Sequence, residues 1–293
     1  MKKIACVLIT YRREIEVVER ALLSIINQTY KCIDIVLVND YPEDIQHSYK
    51  LKKLADKYGI KYVTYKHNSG ACVARNAGAS CTEGDYIAFL DDDDEWVLDK
   101  LEVQIKCAEA NKADLVYGPF YLRKDGKSKI TKNKLVNGFV LDKVLAYNFI
   151  GGTSVPLIKK SKFDELNGFD EFLQSSQDYD LWIRIAESGK IWSVDYPMIV
   201  RYFSNESVTT NIKKKIQGWN HLNEKYSSLF DEYPKSANIR YNNIANQAFA
   251  YGEYCYAFKA LRKAIKYDWK SGKNLTEPAK GIIKRLLKRE VSW

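Results

Sequence analysis

The sequence predicts an α/β protein with a mostly parallel central sheet and a helical C-terminal appendage. Between residues 4 and 122, short β-branched runs alternate with helical segments, whereas the chain beyond residue 212 has helical spacing alone. Such alternation is typical of a parallel sheet covered by helices on both faces. We therefore expect two domains, residues 1–212 and residues 213–293.

Five segments have the β-branched composition of strands, at residues 4–10, 33–39, 61–65, 86–90 and 115–120. In open α/β sheets, ligands bind beyond the carboxyl ends of the strands. Polar residues follow four of the predicted strands at that end, in the runs Thr10-Tyr11-Arg12, Asn39-Asp40, His67-Asn68 and Asp91 to Glu95. We expect these residues to meet in one crevice.

Composition restricts the class of protein. The chain has 293 residues, 46% of them hydrophobic, which is sufficient for large buried cores. Its six cysteines form no CxxC pair, so we expect a reduced cytoplasmic chain without a zinc site.

The basic N-terminus is expected to begin the first strand rather than a signal peptide. No apolar run approaches the roughly 20 residues needed to cross a bilayer. Contact with the inner face of the cell membrane is therefore expected to be peripheral.

The positive charge is concentrated in the C-terminal region. Residues 213–293 hold 17 Lys and Arg against 7 Asp and Glu, although the whole chain carries only +9. The end of the chain, residues 278–293, has an apolar helical stripe with basic flanks, which can lie on an anionic membrane or can dock on the protein. Both alternatives stay open, as does a homo-oligomer or partner-protein contact through the helical tail. No nucleic-acid-binding motif is visible, so no nucleic-acid partner is expected.

The acidic run, Asp91 to Glu95, directly follows an apolar strand. One interpretation is a solvated loop before a helix, whose first turn favours negative charge. However, carboxylates packed together repel one another unless a cation offsets them. Mg²⁺ and Mn²⁺ prefer oxygen ligands and leave positions open for phosphates. We therefore expect a divalent cation and a nucleoside diphosphate at this position.

Two further features suit a phosphate-bearing ligand. Gly70 precedes a predicted helix that carries Arg75, so that backbone N–H groups and a cation could reach phosphate or sugar. The alternative is a helix cap with a surface arginine. Asp40 could accept hydrogen bonds from a base or ribose, or could cap the next helix.

Six segments in this order resemble the family 2 glycosyltransferases, which have the GT-A fold. They are VLITYRR with ALLSIINQTY, IDIVLVND, NSGACVARNAG, FLDDDDEW, NGFDE and QDYDLWIRIA. The resemblance covers about residues 3 to 210. It implies an inverting transfer of a hexose or N-acetylhexosamine from a UDP-sugar to a hydroxyl of a surface-polysaccharide, lipid-linked or protein-linked glycan. It also implies Mn²⁺ or Mg²⁺ as cofactor.

The resemblance assigns donor-binding roles residue by residue. Asp91 and Asp93 match the first and last positions of the DxD motif; Asp93 is the principal metal ligand, Asp91 the second, and Asp92 faces the ribose or the donor sugar. Asp94 is expected to cap a helix or to support the ligands. The other predicted donor-binding residues are Thr10, Tyr11, Arg12, Asp40, Asn68, Gly70, Arg75, Gly152 and Thr153.

Asp178 occupies the position of the family's catalytic base. Inverting transfer needs one carboxylate to take the proton from the acceptor hydroxyl. The alternative is an N-cap for the helix that follows, and the two roles can coexist. Gln177 stands where the family usually has Glu. The late metal-binding His is absent from residues 200–210, where Ser204, Asn205, Glu206 or water could substitute. These two departures support a second hypothesis, a catalytically weak nucleotide-sugar-binding scaffold, against which the intact Asp91, Asp93 and Asp178 argue.

Overall fold

The computed structural model describes residues 1–124, 126–202 and 212–287. The chain forms two compact units. The first comprises Met1–Val140 with Phe149–Asn205, and the second Leu141–Asn148 with Glu206–Trp293. A domain boundary at residue 212 stays a prediction, since the neighbouring residues lie outside the described part. Residues Ser204, Asn205 and Glu206 also lie outside it.

The strands have the following bounds. In chain order they are β1 (Ile4–Thr10), β2 (Ile33–Asn39), β3 (Lys61–Thr64), β4 (Tyr86–Asp91), β5 (Asp94–Trp96), β6 (Leu115–Tyr117), β7 (Tyr121–Lys124), β8 (Lys127–Ile130), β9 (Leu157–Lys159), β10 (Ile191–Ser193) and β11 (Ile199–Tyr202).

The helices have the following bounds. In chain order they are α1 (Ile15–Ile26), α2 (Ile45–Tyr58), α3 (Ala71–Ser80), α4 (Lys100–Asn111), α5 (Leu141–Ala146), α6 (Lys160–Glu165), α7 (Gln177–Ser188), α8 (Ile212–Lys225), α9 (Ser227–Glu232), α10 (Pro234–Tyr251), α11 (Tyr254–Tyr267) and α12 (Lys273–Leu286).

A seven-stranded sheet organises the first unit, in the order β10-β6-β9-β4-β1-β2-β3. Only β9 runs antiparallel to its neighbours in this sheet. In β1, Ile9 is opposite Asp91 of β4 and Thr10 is opposite Asn39 of β2. The carboxyl ends of these three central strands therefore lie at one edge, where the sequence places its polar runs. The predicted mostly parallel α/β sheet is confirmed.

The end of the acidic run forms a strand, and no helix directly follows the run. Asp94–Trp96 forms β5, which pairs antiparallel with β11 in a second, four-stranded sheet ordered β5-β11-β7-β8. The next helix begins only at Lys100, so the prediction that Asp94 caps a helix is wrong. The N-cap prediction for Asp178 is also wrong, because α7 begins at Gln177 with Ser176 at the N-cap position.

Close packing brings α3 onto the central strands. A Cβ atom on Gly78 would lie 2.4 Å from a methyl carbon of Val7 and 2.9 Å from one of Val38. Only glycine permits this approach without displacement of the neighbours. The same helix carries Arg75, which is buried and reaches the edge of the sheet where the acidic run lies.

Helices α8 to α12 form the second unit together with α5. A Cβ atom on Gly281 of α12 would lie 2.3 Å from the Asn246 carbonyl oxygen of α10, so these two helices are in close contact. Buried amides add polar contacts: Asn238 and Asn242 of α10 both donate to Oδ1 of Asn274. Within the described ranges, no helix has the length and apolar content needed to cross a bilayer.

A fully buried lysine, Lys100, begins α4. Lys100 Nζ donates to Gln104 Oε1 at 2.8 Å and lies 4.4 Å from the centre of the Trp96 ring. Burial lowers the pKa of Lys100 to about 7. Between about pH 7 and 10.5 the unfolded chain therefore binds a proton at this residue that the folded chain does not.

We expect Lys100→Met to flatten the pH dependence of stability in the alkaline range. The contribution of Lys100 to the free energy of unfolding should rise with pH above about 7, by at most about 1.4 kcal/mol per pH unit, because the unfolded chain binds the extra proton. Urea unfolding at several pH values measures the slope. Lys106→Met, an exposed substitution on the same helix, is the control and should leave the slope unchanged. Equal slopes in wild type and Lys100→Met would contradict the assignment.

Candidate active site

Asp92 holds the loop after β1 in place. Its carboxylate accepts hydrogen bonds from Thr10 Oγ1 at 2.8 Å, the Tyr11 backbone N–H at 3.2 Å and Arg13 Nε at 3.0 Å. The residue is only 7% exposed, and burial, partly opposed by Arg13, raises its pKa. Asp92 therefore determines the conformation of residues 10–13.

Asp91 is joined to α3 and to the turn before β9. Arg75 Nη2 lies 2.6 Å from Oδ1 of Asp91, and Thr153 Oγ1 lies 3.2 Å from both of its carboxylate oxygens. Burial opposes the ionised form, but Arg75 and Arg201 outweigh it, so the pKa of Asp91 is lowered. Asp91 is thus an ionised carboxylate that already has a cationic partner.

Asp93 is the more accessible carboxylate of the run. Arg13 Nη2 lies 3.1 Å from its Oδ2, and 41% of the Asp93 side chain is exposed. Burial and the neighbouring Asp91 raise the pKa of Asp93, although Arg13 and Arg201 oppose this shift. A further cation beside Asp93 would favour its ionised form.

Arg201 places one guanidinium among several carboxylates. It is opposite Asp94 in the β5–β11 pairing, and its Nε lies 3.9 Å from Asp94 Oδ1. Burial lowers the pKa of Arg201, but the surrounding Asp94, Asp91, Asp93 and Asp178 outweigh burial and raise it. Burial also raises the pKa of Asp94 to about 7, despite the proximity of Arg201. Arg201 is therefore the shared counter-ion of this part of the site.

Asp178 lies in the first turn of α7 and is half-buried. Burial raises its pKa, which the Tyr179 backbone N–H at 2.7 Å and the more distant Arg75 and Arg201 partly oppose. The same helix is joined to the turn at residues 151–153, because Trp182 Nε1 donates to the Gly151 carbonyl oxygen at 3.0 Å. Asp178 and Thr153 are therefore held on connected elements.

Asp40 organises the segment that leads into α3. Its Oδ1 accepts hydrogen bonds from the Tyr65 hydroxyl and from the backbone N–H groups of Ser69 and Gly70. Its backbone carbonyl oxygen accepts another from Asn68 Nδ2 at 2.6 Å. Asp40 therefore joins β2 to residues 65–70, which brings three predicted donor-binding residues together.

Arg12 points towards aromatic rings rather than towards the acidic run. Its guanidinium carbon lies 4.4 Å from the centre of the Tyr41 ring and 5.2 Å from that of Tyr11. These two rings also make an edge contact at 5.5 Å. The two rings are nearly perpendicular, at 72°, and together with the Arg12 guanidinium they form an aromatic and cationic surface next to Asp40 in the chain. An aromatic ring face of this kind can stack with a planar group.

The donor set fits a divalent cation only in part. Among the described residues, no three His, Cys, Asp or Glu side chains are grouped to hold a metal ion. Asp93 offers a half-exposed carboxylate, whereas Asp91 already binds Arg75 and Thr153. Mg²⁺ is commonly held by one or two carboxylates together with substrate phosphates. The residues therefore fit a cation shared between Asp93 and a bound diphosphate.

Comparison with protein families identifies the chain. The model of glycosyl transferase family 2 matches residues 6–166, more than half of the sequence. The chain belongs to this family. Residues 1–349 of S. aureus TarS, solved in complex with UDP-GlcNAc, superpose with a TM-score of 0.70 at 14% identity, over 97% of this chain and 89% of that TarS fragment. This family 2 glycosyltransferase chain therefore has the GT-A fold, followed by C-terminal helices.

Curated relatives are more similar in sequence. An uncharacterised glycosyltransferase of Rickettsia bellii is 33% identical over 239 residues, which is 77% of this chain and 33% of that protein. The chain thus spans about a third of the length of that relative. The Escherichia coli enzyme WfgD, a UDP-Glc:alpha-D-GlcNAc-diphosphoundecaprenol beta-1,3-glucosyltransferase, is 28% identical over 208 residues, 68% of this chain and 77% of WfgD.

The structure brings the predicted residues into two neighbouring networks. One surrounds Asp40 and the other surrounds the acidic run, and β1 and β2 carry the connection between them. Gly152 lies beside Arg201, since a Cβ atom there would be 3.4 Å from Arg201 Nη2. The ligand-binding roles of all these residues stay predictions.

Sequence reasoning missed Arg13 and Arg201. Arg13 pairs with Asp92 and Asp93 at 3.0 and 3.1 Å, and Arg201 Nε lies 3.9 Å from Asp94. Arg13 directly follows a predicted site residue in the same loop. Arg201 is a single charge within an otherwise apolar strand pattern, IVRY, and that signal could have identified it.

We expect Arg201→Gln to destabilise the protein more at pH 8 than at pH 5. Without Arg201 the ionised carboxylates repel one another, and protonation at lower pH relieves that repulsion. The loss at pH 8 should be about 1–3 kcal/mol. Thermal unfolding at both pH values measures it. Arg123→Gln, at an exposed site on the adjacent β7, should change stability by less than about 0.5 kcal/mol. A loss that is independent of pH would contradict the shared counter-ion role.

Proposed function

We propose that this protein is an inverting glycosyltransferase that moves a hexose or N-acetylhexosamine from a UDP-sugar to a hydroxyl of a bacterial glycan. The single observation that carries the proposal is the convergence of Asp91, Asp93, Asp178 and Arg201 at the carboxyl edge of the sheet. A family 2 chain with this cluster has both a charged site for a diphosphate and a carboxylate base.

The proposed donor site follows from the two networks. The Asp40 network and the rings of Tyr11 and Tyr41 would receive the uridine, because they offer a hydrogen-bond acceptor beside a stacking surface. Arg13 and Arg201 would face the diphosphate, since guanidinium groups bind phosphate oxygens well. Gly152 and Thr153 would lie beside the sugar. The UDP-GlcNAc bound by TarS supports a UDP-sugar as the donor class.

Asp178 would act as the general base. Burial raises its pKa, and a base is most effective when its pKa approaches the working pH. It would take the proton of the acceptor hydroxyl as the oxygen attacks the anomeric carbon, while the bond to the UDP oxygen breaks. Attack on the face opposite the leaving diphosphate inverts the configuration at the anomeric carbon.

A divalent cation would be held by Asp93, with Asp91 as its second protein neighbour. When bound, Mn²⁺ or Mg²⁺ supplies positive charge that stabilises a diphosphate leaving group. Arg201 contributes fixed charge from the protein in the same region. The missing late histidine thus has no direct replacement among the described residues, but an arginine provides charge nearby.

The proposed acceptor is a lipid-linked or surface-polysaccharide glycan. WfgD acts on a diphosphoundecaprenol-linked sugar, which supports this acceptor class for a chain of the same family. We place the protein in the cytoplasm, at the inner face of the cell membrane as a peripheral protein, because lipid-linked acceptors are confined to a membrane.

Binding of UDP should stabilise the protein in a metal-dependent manner. At 100 times its dissociation constant, UDP should add about 2.7 kcal/mol to the free energy of unfolding. Thermal unfolding with UDP, GDP, CMP or TDP, each with Mn²⁺, Mg²⁺ or chelator, measures this. Asp93→Ala should remove the metal-dependent part, whereas Asp99→Ala, outside the cluster, should retain it. The absence of stabilisation by any nucleotide under any metal condition would overturn the proposed donor class.

Asp178→Asn should abolish transfer without loss of donor binding. Removal of a general base lowers kcat by about 10²–10⁴-fold. Release of UDP from a panel of UDP-sugars, with a diphosphate-linked lipid acceptor, measures the rate. Glu187→Gln, which removes an exposed carboxylate from the same helix, is the matched control and should retain activity. Full activity of Asp178→Asn would assign the base elsewhere.

A further inference from the structure

An apolar stripe on α12 faces away from the rest of its unit. Leu275 is 79% exposed, Ile283 53% and Leu286 75%, and Ile282 and Leu287 are also exposed. The opposite face of α12 holds the buried Asn274, Pro278 and Gly281, two of which contact α10 directly. The helix is therefore already docked by its small and polar face.

This arrangement decides between the two alternatives that the sequence leaves open for residues 278–287. A helix that docked its apolar stripe on the protein would bury Ile282, Ile283 and Leu286, but the structure buries the other face. Residues 288–293 of the predicted tail lie outside the described part. An exposed apolar stripe of this length on a helix indicates an interaction surface.

Basic side chains border the stripe. In helical projection, Lys273, Lys280 and Lys284 lie along one side of the stripe. Lys280 pairs at 2.6 Å with Glu277, the one acidic residue of the described helix, and the Arg285 guanidinium lies against Gly252 on the docked face. The surrounding region is also basic, with 17 Lys and Arg against 7 Asp and Glu in residues 213–293. An anionic surface with an apolar interior complements this pattern, because it accepts the stripe and pairs with its flanks. A second copy of the same face would bring like charges together.

We propose that the exposed face of α12, defined by Leu275, Ile282, Ile283, Leu286 and Leu287, binds the surface of an anionic lipid bilayer. The apolar side chains enter the boundary between head groups and acyl chains, and the flanking lysines contact the anionic head groups. This inference goes beyond the proposed transfer reaction and does not depend on it. It names one helix face as the membrane contact.

Vesicle flotation with the full chain tests the proposal without any nucleotide. Wild type should float with phosphatidylglycerol-containing vesicles and not with pure phosphatidylcholine, and high salt should weaken the binding. Ile283→Gln with Leu286→Gln should lower the affinity by at least about tenfold. Ile130→Gln with Leu135→Gln, an exposed isoleucine and leucine of the first unit, is the matched control and should float like wild type.

A charge variant provides a second measurement. Lys280→Gln with Lys284→Gln should reduce both the affinity for anionic vesicles and its dependence on salt, while the melting temperature stays near that of wild type. The proposal is overturned if wild type does not bind anionic vesicles at low salt, or if the glutamine variants of the stripe bind as well as wild type. It is also overturned if sedimentation shows a dimer that Ile283→Gln with Leu286→Gln dissociates. UDP stabilisation, measured separately, is expected to be unchanged in all these variants.

Discussion

Neutralisation of the carboxylates at the end of β4 is the constraint on which the rest of the first unit depends. Consecutive aspartates beyond a buried strand repel one another unless each has a cationic or hydrogen-bonding partner. The structure supplies those partners from three separate elements: Arg75 from α3, Arg13 from the loop after β1, and Arg201 from β11. One short acidic segment therefore joins parts of the chain that are far apart in sequence.

These pairings explain the local architecture around the site. Asp92 turns inward and fixes residues 10–13, and it shares the Arg13 guanidinium with Asp93, whereas Asp91 is directed to Arg75. Asp94 continues into β5 and brings β11 alongside, which introduces Arg201. A solvated acidic loop would impose no such order. The alternation of directions along the run, rather than its total charge, creates a site with both carboxylates and guanidinium groups.

The central sheet could be predicted from the sequence because its signals are local. β1 and β2 have the predicted bounds, since buried parallel strands are continuous apolar runs that end at polar residues. The second sheet could not be predicted, because β5 has three residues and its sequence, DEW, is acidic. Its strand conformation comes from pairing with β11, a partner about a hundred residues away. Tertiary pairing here overrides local propensity.

The candidate site also contains some residues that the sequence could predict and others whose position depends on tertiary structure. Thr153, Arg75 and Asp91 follow recognisable motifs, and the structure brings them together. Arg13 is the last residue of the VLITYRR segment and Arg201 lies outside the six segments, and the proximity of both to the run depends on loop conformation and strand register. Asp40 was predicted as a ligand-binding residue, but its hydrogen bonds within residues 65–70 arise from the fold and could not be inferred from spacing.

The charge balance also gives a physical reason for Gln177. Asp91, Asp93, Asp94 and Asp178 already share Arg201, and burial raises the pKa of three of them. A glutamate next to Asp178, as the family usually has, would add a like charge and raise the pKa of the base further. A glutamine keeps the same size and hydrogen-bonding capacity without that repulsion. In a cluster with one shared guanidinium, a neutral residue 177 therefore favours the ionised form of Asp178, the form that a general base requires.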